Sequence, residues 1–221
     1  MNNELKKRIF TSIILLLLLT AMYFYSFIMI SSILIMTIII WIEFYALISK
    51  IIKGNRYQDH FFRYISKLAS LFYLSIFVYF IFIIESDYTD LKIYLLYSVL
   101  VAILSDIGGL VFGKTFKGKK LTKISPNKTV LGSVGSFVLS MVLIPIFYNE
   151  LITYDLLSLI MLTIIISLIS QIGDLFISLL KRKAKVKDTS DLLPGHGGLL
   201  DRLDGIIFAA PSGVLLLNSL N

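Results

Sequence analysis

Apolar residues in this chain come in long unbroken runs, separated by short segments dense in charge. A helix covers a bilayer core of roughly 30 Å with about 20 mostly apolar residues. Ile9 to Ser49 is one apolar tract, too long for a single crossing. It splits near Tyr25–Ser26 into two helices joined by a tight hairpin. Further runs predict helices over Leu68–Ile84, Ile93–Gly113, Val130–Tyr148, Leu156–Leu180 and about Gly205–Leu217, the last short and carrying Pro211 and Gly213. The pattern therefore predicts an all-α polytopic membrane protein of about seven spans. It reads as one integral membrane domain over 1–221, with generic helices in 1–92 and the polar chemistry in 93–221. Lys6, Lys7 and Arg8 precede the first span, but no small-residue cleavage site follows and a second apolar run begins almost at once. That is a retained helix rather than a signal peptide.

Composition removes the alternatives. The 221 residues are 57% hydrophobic and 16% charged, against roughly 45–50% and about 25% in soluble domains. A soluble single domain and a disordered chain are both excluded. Cysteine is absent, which removes disulfides, thiolate zinc sites and cysteine nucleophiles. The net charge of +7 follows position. Twenty of the 21 Lys and Arg residues fall before the first span or in the loops after the second, fourth and sixth, and only Lys92 lies on the other side. That other side carries Glu85, Asp87, Asp90, Glu150 and Asp155. Basic residues mark the cytoplasmic side, so the N-terminus is expected inside and the C-terminus outside. The charge needs no nucleic-acid partner.

Charge at membrane depth is costly and marks function. Glu43, near the cytoplasmic end of its span with no motif around it, reads as an interfacial residue paired with a nearby lysine. Asp106 in SDIGG and Asp174 in QIGDL lie eight and seven residues before Lys114 and Lys181. At 1.5 Å per residue, both sit roughly 10–12 Å inside the cytoplasmic boundary. Two carboxylates beside glycines at equal depth suggest a polar cavity open to the cytoplasm, built mainly by the C-terminal half. In the loop before the fifth span, Ser125-Pro126-Asn127-Lys128-Thr129 reads as a helix start with Ser125 as cap and Pro126 in the first turn. Free N–H groups there, with Lys119, Lys120 and Lys128 close in sequence, suit a phosphate.

The densest chemistry is in Lys181–Asp204, KRKAKVKDTSDLLPGHGGLLDRLD. Gly195, Gly197 and Gly198 around His196 permit close backbone approach to a ligand. Asp201 and Asp204, three residues apart, would share one helix face at the mouth of the last span. Paired carboxylates suit a hard divalent cation such as Mg²⁺, whose remaining ligands are water and substrate phosphate. Arg202 between them offers a forked phosphate partner.

On these residues the chain resembles the bacterial phosphatidate cytidylyltransferase (CDP-diacylglycerol synthase) family. The matching elements are Gly173-Asp174-Leu175, Ser178, Lys181-Arg182, Lys187-Asp188, Pro194–Gly198 and Asp201-Arg202-x-Asp204, with a second region from Asp106 to Gly132 around SPNKT. Many members carry Glu where this chain has Leu131 and Ile177. The resemblance implies transfer of CMP from CTP to phosphatidate in a multi-pass protein of the bacterial inner membrane, with the active site facing the cytoplasm and a homo-oligomer left open. It implies catalytic roles for Asp174, Asp201, Asp204, Lys181 and Arg202. Substrate contacts are expected from Ser125, Lys128, Thr129, Arg182, Lys187, Asp188, Gly195, His196, Gly197 and Gly198. Asp174, Asp201 and Asp204 would hold Mg²⁺, and Asp106 a second cation or the nucleotide. A CTP-dependent polyprenol kinase and an ion-coupled transporter using Asp106 and Asp174 are the competing classes.

Overall fold

The computed structural model describes residues 3–219 other than 55, 123–124, 152 and 194–196, with side chains from residue 10 onward. The described helices are α1 (Asn3–Phe24), α2 (Ser26–Ile51), α3 (Tyr57–Ser86), α4 (Lys92–Phe116), α5 (Val130–Ser140), α6 (Leu143–Phe147), α7 (Leu156–Lys183), α8 (Leu200–Leu203) and α9 (Ile206–Ser219). Strand pairing among the described residues is confined to two isolated bridges, so the all-α expectation holds.

Among the described residues, five stretches are long and apolar enough to cross a membrane: α2, α3, α4 with the short turn before it, α5 together with α6, and α7. The apolar part of α1 is shorter. The seventh expected span is α9, with 14 residues and Pro211 inside it. Its length is about 21 Å, less than an upright crossing requires.

The chain divides into two compact units. One comprises Met1–Asp87 and Leu180–Leu203, the other Tyr88–Leu179 and Asp204–Asn221.

In the first unit, Tyr25 alone separates α1 from α2, in an extended conformation (φ −124°, ψ 105°). The break between the two helices falls where the sequence places it. α3 begins at Tyr57, well before the expected Leu68. Its first turns are polar and aromatic, and hydropathy sees only the apolar remainder. Those turns are anchored at interfacial chemistry. Arg63 Nη2 donates to Gly54 O at 3.1 Å. Lys67 Nζ lies 3.3 Å over the Tyr45 ring, and Trp41 Nε1 donates to Lys67 O at 3.4 Å.

The second unit is held by small and hydroxylated residues, as membrane helices without a hydrophobic drive between them require. A side chain at Gly108 would meet Gly135 O at 2.4 Å, so α4 and α5 touch backbone to backbone. Ser136 Oγ donates to Ser105 O at 2.7 Å. Ser105 and Ser167 hydroxyls pair at 2.9 Å, and Tyr97 pairs with Thr163 at 2.6 Å. Ser133 Oγ donates to Gln171 at 2.5 Å. α4, α5 and α7 are thereby fixed in register, which positions Asp106 and Asp174.

Candidate functional site

In the second unit the segment between α4 and α5 folds back on itself. Leu121 N–H donates to Lys128 O at 2.8 Å and Val130 N–H to Lys119 O at 3.0 Å. Ser125-Pro126-Asn127-Lys128 is a turn closed by Lys128 N–H on Ser125 O at 3.0 Å. Proline suits the second position of such a turn because its φ is preset. The expected helix start at Ser125 is thus corrected. α5 begins at Val130, and its cap is Thr129, whose Oγ1 accepts from Gly132 N–H at 3.0 Å.

The turn delivers Lys128 to Asp174. Lys128 Nζ donates to Asp174 Oδ2, and Ser178, one turn on, donates to Oδ1 at 3.3 Å. Both ion-pair partners are partly exposed. Asp106 is exposed on α4. Asp204 is buried, and its Oδ1 accepts Gly205 N–H at 2.9 Å. A side chain at Gly173 would lie 2.9 Å from Asp204 O and 2.5 Å from the Phe208 ring. The glycine before Asp174 therefore lets the turn bearing Asp204 approach α7.

In the first unit, α7 ends where Lys185 takes a left-handed conformation (φ 59°). Val186 N–H bonds Lys181 O at 3.0 Å and Lys185 N–H bonds Arg182 O at 3.1 Å, the paired closure of a Schellman end. The chain then returns to place Thr189 against Asp201. Asp201 Oδ1 accepts Lys181 Nζ at 2.7 Å. Its Oδ2 faces Thr189 N–H at 2.7 Å, Thr189 Oγ1 at 3.0 Å and Gly198 N–H at 3.0 Å. The side chain is 3% exposed. Burial alone would push its carboxyl up, but the bonds from Lys181, Thr189 and Gly198 and the lysine charge outweigh it, holding Asp201 below the usual carboxylate range.

Glu43 departs from the sequence expectation. It bonds no lysine. Its Oε1 accepts Ser190 Oγ at 2.6 Å and Leu199 N–H at 3.0 Å, and its Oε2 faces Thr189 Oγ1 at 2.9 Å and Leu200 N–H at 2.8 Å. The residue is 5% exposed. The signal was present in the sequence: Ile39, Ile40, Ala46 and Leu47 occupy the positions three and four away, so no basic residue lies within one turn of it on its own helix. Thr189 and Ser190, its hydroxyl partners, carried no separate signal.

The remaining expected residues are placed as follows. Asp201 sits on α8, but Asp204 follows in the turn before α9, so the two do not share a helix face as expected. Arg202, Lys187 and Asp188 are exposed. Arg182 Nη1 reaches Val186 O at 3.5 Å. Gly197 has φ +83° and exchanges two backbone bonds with Leu193. Gly195 and His196 lie outside the described residues. Leu131 is exposed beside Gly118, and Ile177 is fully buried.

A family model described as the cytidylyltransferase family matches residues 1–220. The chain belongs to the cytidylyltransferase family. Among its curated relatives, it is similar to the phosphatidate cytidylyltransferase of Staphylococcus haemolyticus, 42% identical over 127 residues, covering 56% of this chain and 48% of the relative. It is similar to that of Bacillus subtilis, 40% identical over 152 residues, covering 68% and 56%. It is also similar to that of Staphylococcus aureus, 41% identical over 130 residues, covering 57% and 50%. The chain spans about half the length of the curated relatives it matches.

The resemblance to this cytidylyltransferase family implies a divalent cation, and the donor sets differ in how well they suit one. Among the described residues, no three His, Asp or Glu side chains converge closely enough to hold a metal ion. Asp106, Asp174 and Asp204 have the hard oxygen chemistry Mg²⁺ prefers, and all belong to the second unit. Asp201 fits less well: it is buried and takes bonds from Lys181, Thr189 and Gly198, whereas Asp174 is partly exposed and is held by Lys128 and Ser178. At either carboxylate a cation would have to displace the lysine.

Proposed function

We propose that this cytidylyltransferase-family chain transfers a cytidylyl group from CTP to phosphatidate, giving CDP-diacylglycerol and pyrophosphate. The observation that carries this reading is a pair of lysine–carboxylate contacts, Lys128–Asp174 and Lys181–Asp201, within the two segments that resemble the family. Each lysine is held near a carboxylate and can neutralise a phosphate instead.

In the proposed reaction a phosphate oxygen of phosphatidate attacks the α-phosphorus of CTP. The bond from that phosphorus to its bridging oxygen breaks, and pyrophosphate departs with the electron pair. A phosphate monoester has its second pKa near 6, so the nucleophile is already ionised at neutral pH and no strong base is needed. Catalysis then rests on positioning and on neutralising charge. Lys128, Lys181, Arg182 and Arg202 neutralise phosphates, Ser125 and Thr129 lie on either side of Lys128 in sequence, and Lys187, Asp188 and the side-chain-free backbone at Gly197 and Gly198 line the nucleotide. We assign Mg²⁺ to Asp174, Asp204 and Asp106 of the second unit; Asp201, in the first unit, stays paired with Lys181. When bound, the cation stabilises charge on the departing pyrophosphate. The site faces the cytoplasm of a bacterial inner membrane in this reading, supported by the basic residues of the loops.

The deciding experiment incubates the purified full chain with phosphatidate vesicles, labelled CTP and Mg²⁺. Equal amounts of pyrophosphate and CDP-diacylglycerol are expected. CDP and a newly phosphorylated lipid would reassign the chain as a lipid kinase. Absence of any CTP-dependent lipid product would overturn the reading.

A further inference from the structure

We propose that Glu43 is a positioning residue: a buried carboxylate on α2 that ties the two flanks of the segment 189–200 together and so fixes Gly198 and Asp201 for the nucleotide.

A buried carboxylate is tolerated only when its oxygens are well partnered. Among the described residues, Glu43 takes its partners from one segment, two from its start and two from its end. Ser190 Oγ at 2.6 Å and Leu199 N–H at 3.0 Å meet one oxygen, and Thr189 Oγ1 at 2.9 Å and Leu200 N–H at 2.8 Å meet the other. Hydrogen bonds to an ionised acceptor are roughly twice as strong as neutral ones. The base beneath them is packed: Ile40 and Leu47, on the same helix, are buried.

The tie reaches Asp201 through Thr189. The Thr189 hydroxyl lies 2.9 Å from Glu43 and 3.0 Å from Asp201. It has one proton to give, so the two carboxylates compete for it. Thr189 N–H, directed at Asp201 at 2.7 Å, keeps the residue in place whichever wins. Gly198 completes the arrangement. A Cβ there would lie 1.9 Å from Thr189 Oγ1 and 2.7 and 2.8 Å from the Glu43 oxygens. The backbone of Gly198 is packed directly on the tie, and Glu43 thereby sets where its N–H points.

The test uses the full chain in phospholipid vesicles, with hydrogen–deuterium exchange read peptide by peptide beside initial rates. Glu43→Gln is expected to speed exchange across 189–203 by about tenfold and leave α4 and α5 unchanged. It is expected to raise KM for CTP by a similar factor while KM for phosphatidate stays within about twofold. Glu43→Asp, which keeps the charge on a shorter arm, should recover part of both effects. Exchange unchanged in the Gln variant, exchange faster throughout the chain, or a fall in kcat with both KM values unchanged would each overturn the proposal. Should Glu43→Gln fail to fold, Ser190→Ala decides, because it keeps the carboxylate and removes one donor; unchanged exchange at 189–203 in that variant also overturns it. The kinetic arm rests on the transferase reading, whereas the exchange arm does not. A wild-type protein that forms no CDP-diacylglycerol would sink that reading and leave the tie still measurable.

Discussion

At the scale of single residues, Asp201 gathers the most consequences. Its carboxyl is held below the ordinary value of about 3.9 because Lys181, Thr189 and Gly198 favour the ionised form more than burial opposes it. A carboxylate with a depressed folded-state pKa contributes stability that is complete above its unfolded value and is lost as pH falls through the folded one. The thermal midpoint of the wild-type protein in detergent should therefore exceed that of Asp201→Asn at neutral pH, and the gap should narrow below about pH 4. A gap that stays constant down to pH 3 would mean that the Lys181 pairing contributes nothing. Removing the other partner is harsher. Lys181→Met leaves a buried carboxylate without its charge partner, a loss of about 3 kcal/mol, read as a lower melting point at neutral pH. Gly198→Ala acts by volume. Its methyl would occupy the space of the Thr189 hydroxyl, and overpacking of this kind costs about 1–3 kcal/mol. CTP-dependent turnover should fall by about tenfold or more, whereas wild-type turnover in that variant would show that the packing there yields freely.

At the scale of elements, the start of α5 separates two readings of one short motif. Ser125-Pro126 has the composition of a helix start, but the helix is capped four residues later by Thr129, and Ser125–Lys128 forms a turn. Thr129→Ala should lower stability by about 1 kcal/mol, Thr129→Ser should be nearly neutral, and Ser125→Ala should leave the melting point unchanged. A larger loss from Ser125→Ala than from Thr129→Ala would restore the sequence-based start. The example shows what a local pattern carries. Runs of Ile, Leu and Phe place α2, α4 and α7 closely because burial in lipid depends on composition alone. The first turns of α3 were missed because their stability comes from interfacial contacts such as Lys67 on Tyr45. The glycine-flanked carboxylates were legible because their chemistry is rare in a membrane span. Glu43 was visible but misread, since its partners lie about 150 residues away in sequence and no spacing rule reaches that far.

At the scale of the whole molecule, the distribution of charge predicts an orientation that the helix lengths can bear. α3 has 30 residues and rises about 45 Å, enough to separate Arg56 from Asp87 by a full bilayer. α4 has 25 and rises about 37 Å, which separates Lys92 from Lys117 in the same way. Asp87 and Lys119 should therefore stand on opposite surfaces, with Lys119 among the basic residues of the cytoplasmic side. The native chain has no cysteine, so single substitutions report without background. In intact cells an impermeant thiol reagent should label Asp87→Cys and spare Lys119→Cys, and permeabilisation should expose the second site. Labelling of Lys119→Cys from outside would invert the topology. It would place the lysine–carboxylate pairs away from cytoplasmic CTP, and the proposed transfer could then not draw on its nucleotide.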